Sequence, residues 1–219
     1  SFTKYFYYLL KNPYELQIMI NKITTNQTYF FREQKHYDFL ENILNNLESK
    51  RVFNCWSAAS SSGEEAYSIA MLLDDKLNSS LWDIFASDIN QTVINMARLG
   101  LYQQDRIDCI PKVYLQNYCF KGKDEYEGKL LVDPKLRKRV SFGLINLTLP
   151  LENIGTFQLI FLRNVMIYFD HETKSKIIKQ LVQKLALGGY LFIGHSETLK
   201  GFENGLTQIS AAIYQKIAS

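Results

Sequence analysis

The chain is short of the residues from which disordered, fibrous and disulfide-stapled proteins are made. Its 219 residues include only 11 Gly and 4 Pro. That excludes collagen-like, low-complexity and disordered classes. There are three cysteines, Cys55, Cys109 and Cys119. An odd number with no C-x-x-C pair gives neither a disulfide framework nor a zinc knuckle. The histidines His36, His171 and His195 form no H-E-x-x-H pattern, so no metal is expected. Excess charge is also scarce: 25 Lys and Arg stand against 22 Asp and Glu, a net +3. That is too mild for wholesale nucleic-acid binding. No apolar run approaches the roughly 18 residues that span a bilayer, so no membrane insertion is expected. No basic-plus-apolar leader is visible either. A reduced, cytoplasmic protein fits these absences.

What is present is apolar and regular. Hydrophobic residues make up 47%, and a chain this long buries about 70% of its unfolded surface without staples. Strand-like and helix-like segments alternate. Two short helices are expected in the first 27 residues, the second opened by Asn12-Pro13. A helix follows over 33–48, with Tyr37, Leu40, Ile43, Leu44 and Leu47 on one face. Next come a strand over 51–57, a small-residue loop over 58–63 and a helix over 64–77. A strand over 82–87 ends at Asp88, and a helix over 91–99 stops at Gly100. Residues 103–141 break the rhythm and read as a small antiparallel insertion. Alternation returns with a strand over 157–162, then a helix capped by Asp170 and running to 187. Gly188-Gly189 ends it, ahead of a strand over 190–193 and a final strand over 207–217. The pattern predicts an α/β fold with a mostly parallel sheet and helices on both faces.

Four units carry chemistry. The loop from Ala58 to Gly63 lies at the carboxyl end of the first strand, where open parallel sheets bind ligands. It lacks the Lys of a phosphate loop and two glycines of a dinucleotide fingerprint; taken alone, it is equally an ordinary tight turn. Asp88, at the end of the next strand, is placed to accept ribose hydroxyls. Its dull alternative is a helix cap, but Asn90 is better placed for that. Loop and acid together suggest adenosine joined to something other than phosphate, and S-adenosylmethionine is the commonest such cofactor. Arg163 and Asn164 follow the strand over 157–162 and face the same crevice, with Tyr168 beyond; by itself Tyr168 reads as a packed aromatic. Arg32 stands near the positive start of a helix, where a cation is mildly unfavourable; by itself it reads as an exposed arginine. Two further features read as decoys. Gly194-His195-Ser196-Glu197-Thr198 lacks the second glycine of a nucleophile elbow. The basic run 135–139 reads as a solvated face.

Five stretches in order resemble the CheR-type chemotaxis receptor methyltransferases. They are T-N-Q-T-Y-F-F-R-E at 25–33, A-A-S-S-S-G-E-E-A-Y-S-I-A at 58–70, F-A-S-D-I-N at 85–90, R-N-V-M-I-Y-F-D at 163–170 and G-H-S-E at 194–197. The resemblance covers residues 24–217. It implies a class I S-adenosylmethionine-dependent methyltransferase fold with an antiparallel last strand. It implies esterification of glutamates on the cytoplasmic helices of chemoreceptors, with S-adenosylhomocysteine as the other product. Asn26, Thr28, Arg32, Glu65, Asp88, Asn146, Leu147, Arg163 and Asn164 would line the cofactor site, Glu65 being preferred over its neighbour Glu64. Arg32 and Tyr168 match the pair placed near the transferred methyl group. Residues 103–141 match a β-subdomain that in some members grips a receptor's C-terminal peptide by strand addition. Residues 1–23 would be the remnant of a longer helical N-terminal domain, and 24–219 the methyltransferase domain. Ala66 stands where the family commonly has Pro, and Leu162 where it has Cys. The rival reading is a non-catalytic module on the same fold that senses S-adenosylmethionine or docks a partner; a third is a small-molecule or nucleic-acid methyltransferase.

Overall fold

A computed structural model describes residues 1–47, 52–77, 82–202 and 205–217. Glu48 and Arg51, read above as a helix end and a strand start, lie outside the described residues, as do Ala218 and Ser219. The chain opens with two helices, α1 (Phe2–Lys11) and α2 (Pro13–Ile23). The Asn12 side chain accepts from the Glu15 amide and Pro13 takes the first turn, where its missing N–H costs nothing. Helix α3 (Gln34–Asn45) buries Tyr37, Leu40 and Leu44. Leu40 is fully buried, which contributes about 1.5–3 kcal/mol.

The main sheet begins with β1 (Phe53–Ala58), α4 (Glu64–Lys76), β2 (Trp82–Asp88) and α5 (Gln91–Leu99). Asn90 caps α5 through Thr92 and Val93, and Gly100 ends it in the left-handed region. A three-stranded antiparallel sheet follows, built from β3 (Leu101–Gln103), β4 (Cys119–Lys121) and β5 (Lys129–Val132) in the order β3-β5-β4, with the helix α6 (Lys112–Tyr118) inside it. The short helix α7 (Pro134–Arg137) then leads to β6 (Val140–Leu144). The last elements are β7 (Phe157–Leu162), α8 (His171–Lys184), β8 (Leu185–Ile193), β9 (Thr207–Ser210) and β10 (Ile213–Gln215).

The main sheet has seven strands in the order β6-β2-β1-β7-β8-β10-β9. β6, β2, β1, β7 and β8 pair in parallel, while β10 pairs antiparallel with β8 and with β9. This is the class I methyltransferase arrangement expected from the resemblance. The chain winds outward from β1 in one direction and from β7 in the other, so a crevice opens at the carboxyl ends of those two strands. Strand periodicity divides the core. On β7, Leu159 and Phe161 face a cluster with Leu40, Ile69 and Leu73 from α3 and α4. Ile160 and Leu162 face the other side, with Trp56, Ile177 and Leu181. Buried on both faces, β7 reads as a continuous apolar run.

Three sequence expectations change. The region 103–141 starts after β3 has begun and ends inside β6, which belongs to the main sheet beside β2. The last long helix stops at Lys184, and Leu185 through Gly189 already belong to β8, with Gly188 at φ 78°. The final segment is a hairpin of two strands rather than one, turned by Ala212 at φ 59°. Among the described residues, no helix is long and apolar enough to cross a membrane.

Candidate functional site

The loop after β1 is wound tightly by left-handed residues: Ala59 at φ 63°, Ser61 at 50° and Gly63 at 94°. Short side chains tolerate this poorly populated region at modest cost. At Gly63 a Cβ would stand 2.8 Å from the Ala97 Cβ, so close approach of α5 also requires glycine. The winding aims amides at the neighbouring strand. Ser60 N–H donates to the Ser87 carbonyl at 2.8 Å, and Ser61 N–H donates to Asp88 Oδ2 at 2.8 Å. The other Asp88 oxygen accepts from Asn90 N–H at 2.9 Å. Burial pushes the Asp88 carboxyl up, against the pull of these amides. Each oxygen keeps a lone pair for a ligand.

At the tip of β7, Arg163 has a side chain only 2% exposed. It is caged by acids: Glu65 Oε2 lies 3.1 Å from Nη1 and Glu33 Oε2 lies 3.0 Å from Nη2. A further N–H donates to the Arg32 carbonyl. Glu65, on the first turn of α4, also accepts from Ser57 Oγ at 2.6 Å. Burial raises the Glu65 carboxyl, and Arg163 opposes that rise. For Glu33 the balance reverses. Burial raises it, but Arg163 and the His195 amide together hold it below the ordinary carboxylate value.

Glu197 organises the next loop. Its carboxylate accepts from the Gly194 amide at 2.7 Å, the Met166 amide at 2.9 Å and the Asn164 amide at 3.0 Å. This holds Asn164 in the left-handed region at φ 57° and fixes the 3-10 turn Met166–Tyr168. Glu197→Ala would leave three amides without their acceptor. We expect a loss of about 1–3 kcal/mol in urea unfolding, partly restored by Glu197→Gln. A midpoint unchanged in both variants would refute the assignment.

The segment ahead of α3 closes the crevice. Thr24 Oγ1 accepts from Asn90 Nδ2 at 2.7 Å, and the Asn26 carbonyl accepts from Ser61 Oγ at 3.0 Å. Arg32 donates to the Gln27 carbonyl at 3.1 Å and lies over the Tyr29 ring. After β6, the Asn146 side chain accepts from Thr148 N–H, and Leu147 packs into the core.

All these tips wall one cavity of about 430 Å³, within the roughly 300–1,000 Å³ typical of small-molecule sites. Asn26, Thr28, Arg32, Glu65, Asp88, Asn146, Leu147, Arg163, Asn164 and Tyr168 all line it. Its apolar wall includes Ile89, Ile145, Val165 and Phe169. Arg32 is half-buried rather than free on the surface, and Tyr168 is 59% exposed at the rim rather than packed. Glu64 turns away, accepting from Ser62 Oγ and pairing with Arg106 at 2.9 Å. Glu33, Ser57 and Glu197 were not singled out from the sequence. Glu33 and Glu197 did lie inside the quoted stretches, and Ser57 was a polar residue near the end of a buried strand. The apolar wall suits an adenine, Asp88 suits ribose hydroxyls, and the Glu65–Arg163 pair suits the zwitterionic end of an amino acid.

The CheR methyltransferase, SAM-binding domain family model matches residues 26–215. The chain is 40% identical to the chemotaxis protein methyltransferase of Borreliella burgdorferi, over 99% of this chain and 80% of that protein. It is 39% identical to that of Escherichia coli, over 91% and 70%. Against chemotaxis protein methyltransferase 2 of Pseudomonas aeruginosa it is 37% identical over 98% and 78%. With the sheet order and the cavity at its switch point, these matches place the chain in the CheR methyltransferase family, as a methyltransferase that uses S-adenosylmethionine.

Proposed function

We propose that this protein methylates glutamate side chains on the cytoplasmic helices of chemoreceptors, yielding glutamate methyl esters and S-adenosylhomocysteine. The observation that carries the reading is that the ten residues assigned by resemblance all line one cavity, with Arg32 and Tyr168 among them. The relatives' printed name, chemotaxis protein methyltransferase, supports a substrate from the chemotaxis system. In this reading Asn26, Thr28, Glu65, Asp88, Asn146, Leu147, Arg163 and Asn164 hold the cofactor. The bound cofactor supplies a methyl group on a positively charged sulfur.

A glutamate side chain is already ionised at neutral pH, so no residue has to remove a proton. Its oxygen forms the new O–CH3 bond while the C–S bond breaks and the electron pair stays on sulfur. Catalysis then consists of alignment and removal of water from the carboxylate. Arg32 offers charge-assisted donors to that carboxylate, and the Tyr168 hydroxyl fixes its approach from the rim. The three-stranded sheet ends on β4, a short edge strand carrying the exposed Phe120; a receptor's C-terminal peptide would add there as a further strand.

Labelled S-adenosylmethionine and receptor-rich membranes test the reading. Base-labile label on the receptor is expected. Cofactor binding without transfer would leave only the sensing module, and transfer to a small molecule or nucleic acid would change the substrate. Tyr168→Phe is expected to lower kcat by about 10- to 100-fold through misalignment, with the shape of its pH profile unchanged. Loss of a limb near neutrality would instead give Tyr168 a proton to move.

A further inference from the structure

We propose that Glu33, His36 and His195 form a binding site for a zinc-class divalent cation, behind the wall of the cofactor cavity. The residues come from two places, the entry to α3 and the loop after β8. Each offers one donor atom, and these atoms lie within 4.8 Å of one another. Glu33 Oε2 is 3.4 Å from His36 Nδ1 and 3.9 Å from His195 Nε2. Two ligands of a tetrahedral zinc, each at about 2.0–2.1 Å from the metal, stand about 3.3 Å apart. The Glu33–His36 edge already has that length, and His195, with a side chain 42% exposed, needs only a small swing.

His36 is the observation that points to a ligand. It is 1% exposed, and neither ring nitrogen has a hydrogen-bond partner. Phe161 and Phe192 stand edge-on to its ring, as does His195. Burying an imidazole with neither nitrogen met is unfavourable, and a metal would meet one.

Arg163 is the opposing group, since Glu33 Oε2 also receives its Nη2 at 3.0 Å. A ligating carboxylate keeps outer hydrogen bonds of this kind, so the guanidinium becomes the second layer of the site. Two imidazoles with one carboxylate select zinc and its neighbours over calcium or magnesium. The sequence pattern is E-x-x-H at 33–36 completed by a distant histidine, which the H-E-x-x-H template misses. A bound ion would clamp the α3 entry to the β8 loop, adding to the His195 N–H that already donates to Glu33 at 3.2 Å.

Cobalt(II) is the probe, titrated into the full chain and then displaced by zinc. We expect one ion per chain, visible d–d bands of a four-coordinate nitrogen and oxygen site, and no thiolate-to-metal band. Zinc is expected to raise Tm. His195→Ala, a change at a solvent-facing side chain, is expected to weaken cobalt binding by at least about 100-fold, since losing even an outer partner costs 10–100-fold, and to abolish the Tm gain. A thiolate band would assign the metal to cysteine, and that result overturns the proposal. So would unchanged affinity in His195→Ala, or no binding at micromolar metal.

Discussion

Arg163→Met is expected to destabilise the protein by about 3–5 kcal/mol, the usual result of removing one partner from a buried ion pair. The volume is nearly conserved, so the loss comes from charge rather than from a cavity. Glu33 and Glu65 each lose the guanidinium that lies within 3.1 Å of them. Arg163→Lys should rescue little, because one ammonium cannot reach two carboxylates and a carbonyl that a planar fork reaches together. Glu65 gives the deficit its pH dependence. Its folded pKa already lies above the ordinary 4.5, and without Arg163 it rises further. A carboxyl raised on folding contributes stability that is fully present below its unfolded pKa and is lost as pH rises through the folded one. The gap between variant and parent should therefore narrow in acid and widen towards neutrality. Urea unfolding at several pH values measures this, and a neutral-pH deficit below about 1 kcal/mol would contradict the network's weight.

Asp88→Ala is expected to have the largest effect on cofactor binding. A hydrogen bond to a charged group is worth about 1.5–3 kcal/mol. In the proposed site, loss of two contacts to the ribose predicts affinity weaker by about 100-fold or more. The same carboxylate also accepts the Ser61 and Asn90 amides, so some stability is lost with it. Calorimetry with S-adenosylmethionine, run beside circular dichroism on the variant, separates the two effects. Unchanged affinity in a folded variant would remove Asp88 from the ribose.

Much of this was legible because local rules and tertiary packing agree. Asn90, Gly100 and Asp170 punctuate helices where the sequence says they should, and β7 announces itself as an apolar run. The insertion was harder. Its strands are only three or four residues long, and their pairing is non-local, so periodicity has nothing to count. Leu185 to Leu187 continue a helical composition, yet the chain enters β8 there because β7 offers a parallel partner. The closing hairpin turns on Ala211 and Ala212 without the Gly or Asn that would signal it. At the site, residue types could be read but not partners. Arg163 meets Glu33 from 130 positions away, and only the fold brings that carboxylate, or the triple acceptor Glu197, into place.

The pairing of β1 with β7, which sets Cys55 against Leu159, has a consequence for biosynthesis. One side of the crevice leaves the ribosome long before the other, and non-local parallel pairing is slow. A nascent chain halted before β7 holds Asp88 and the serine loop but lacks Arg163, Asn164 and Tyr168. Both walls of the cavity are therefore present only once the chain has been made through β7 and the turn after it, at Arg163, Asn164 and Tyr168.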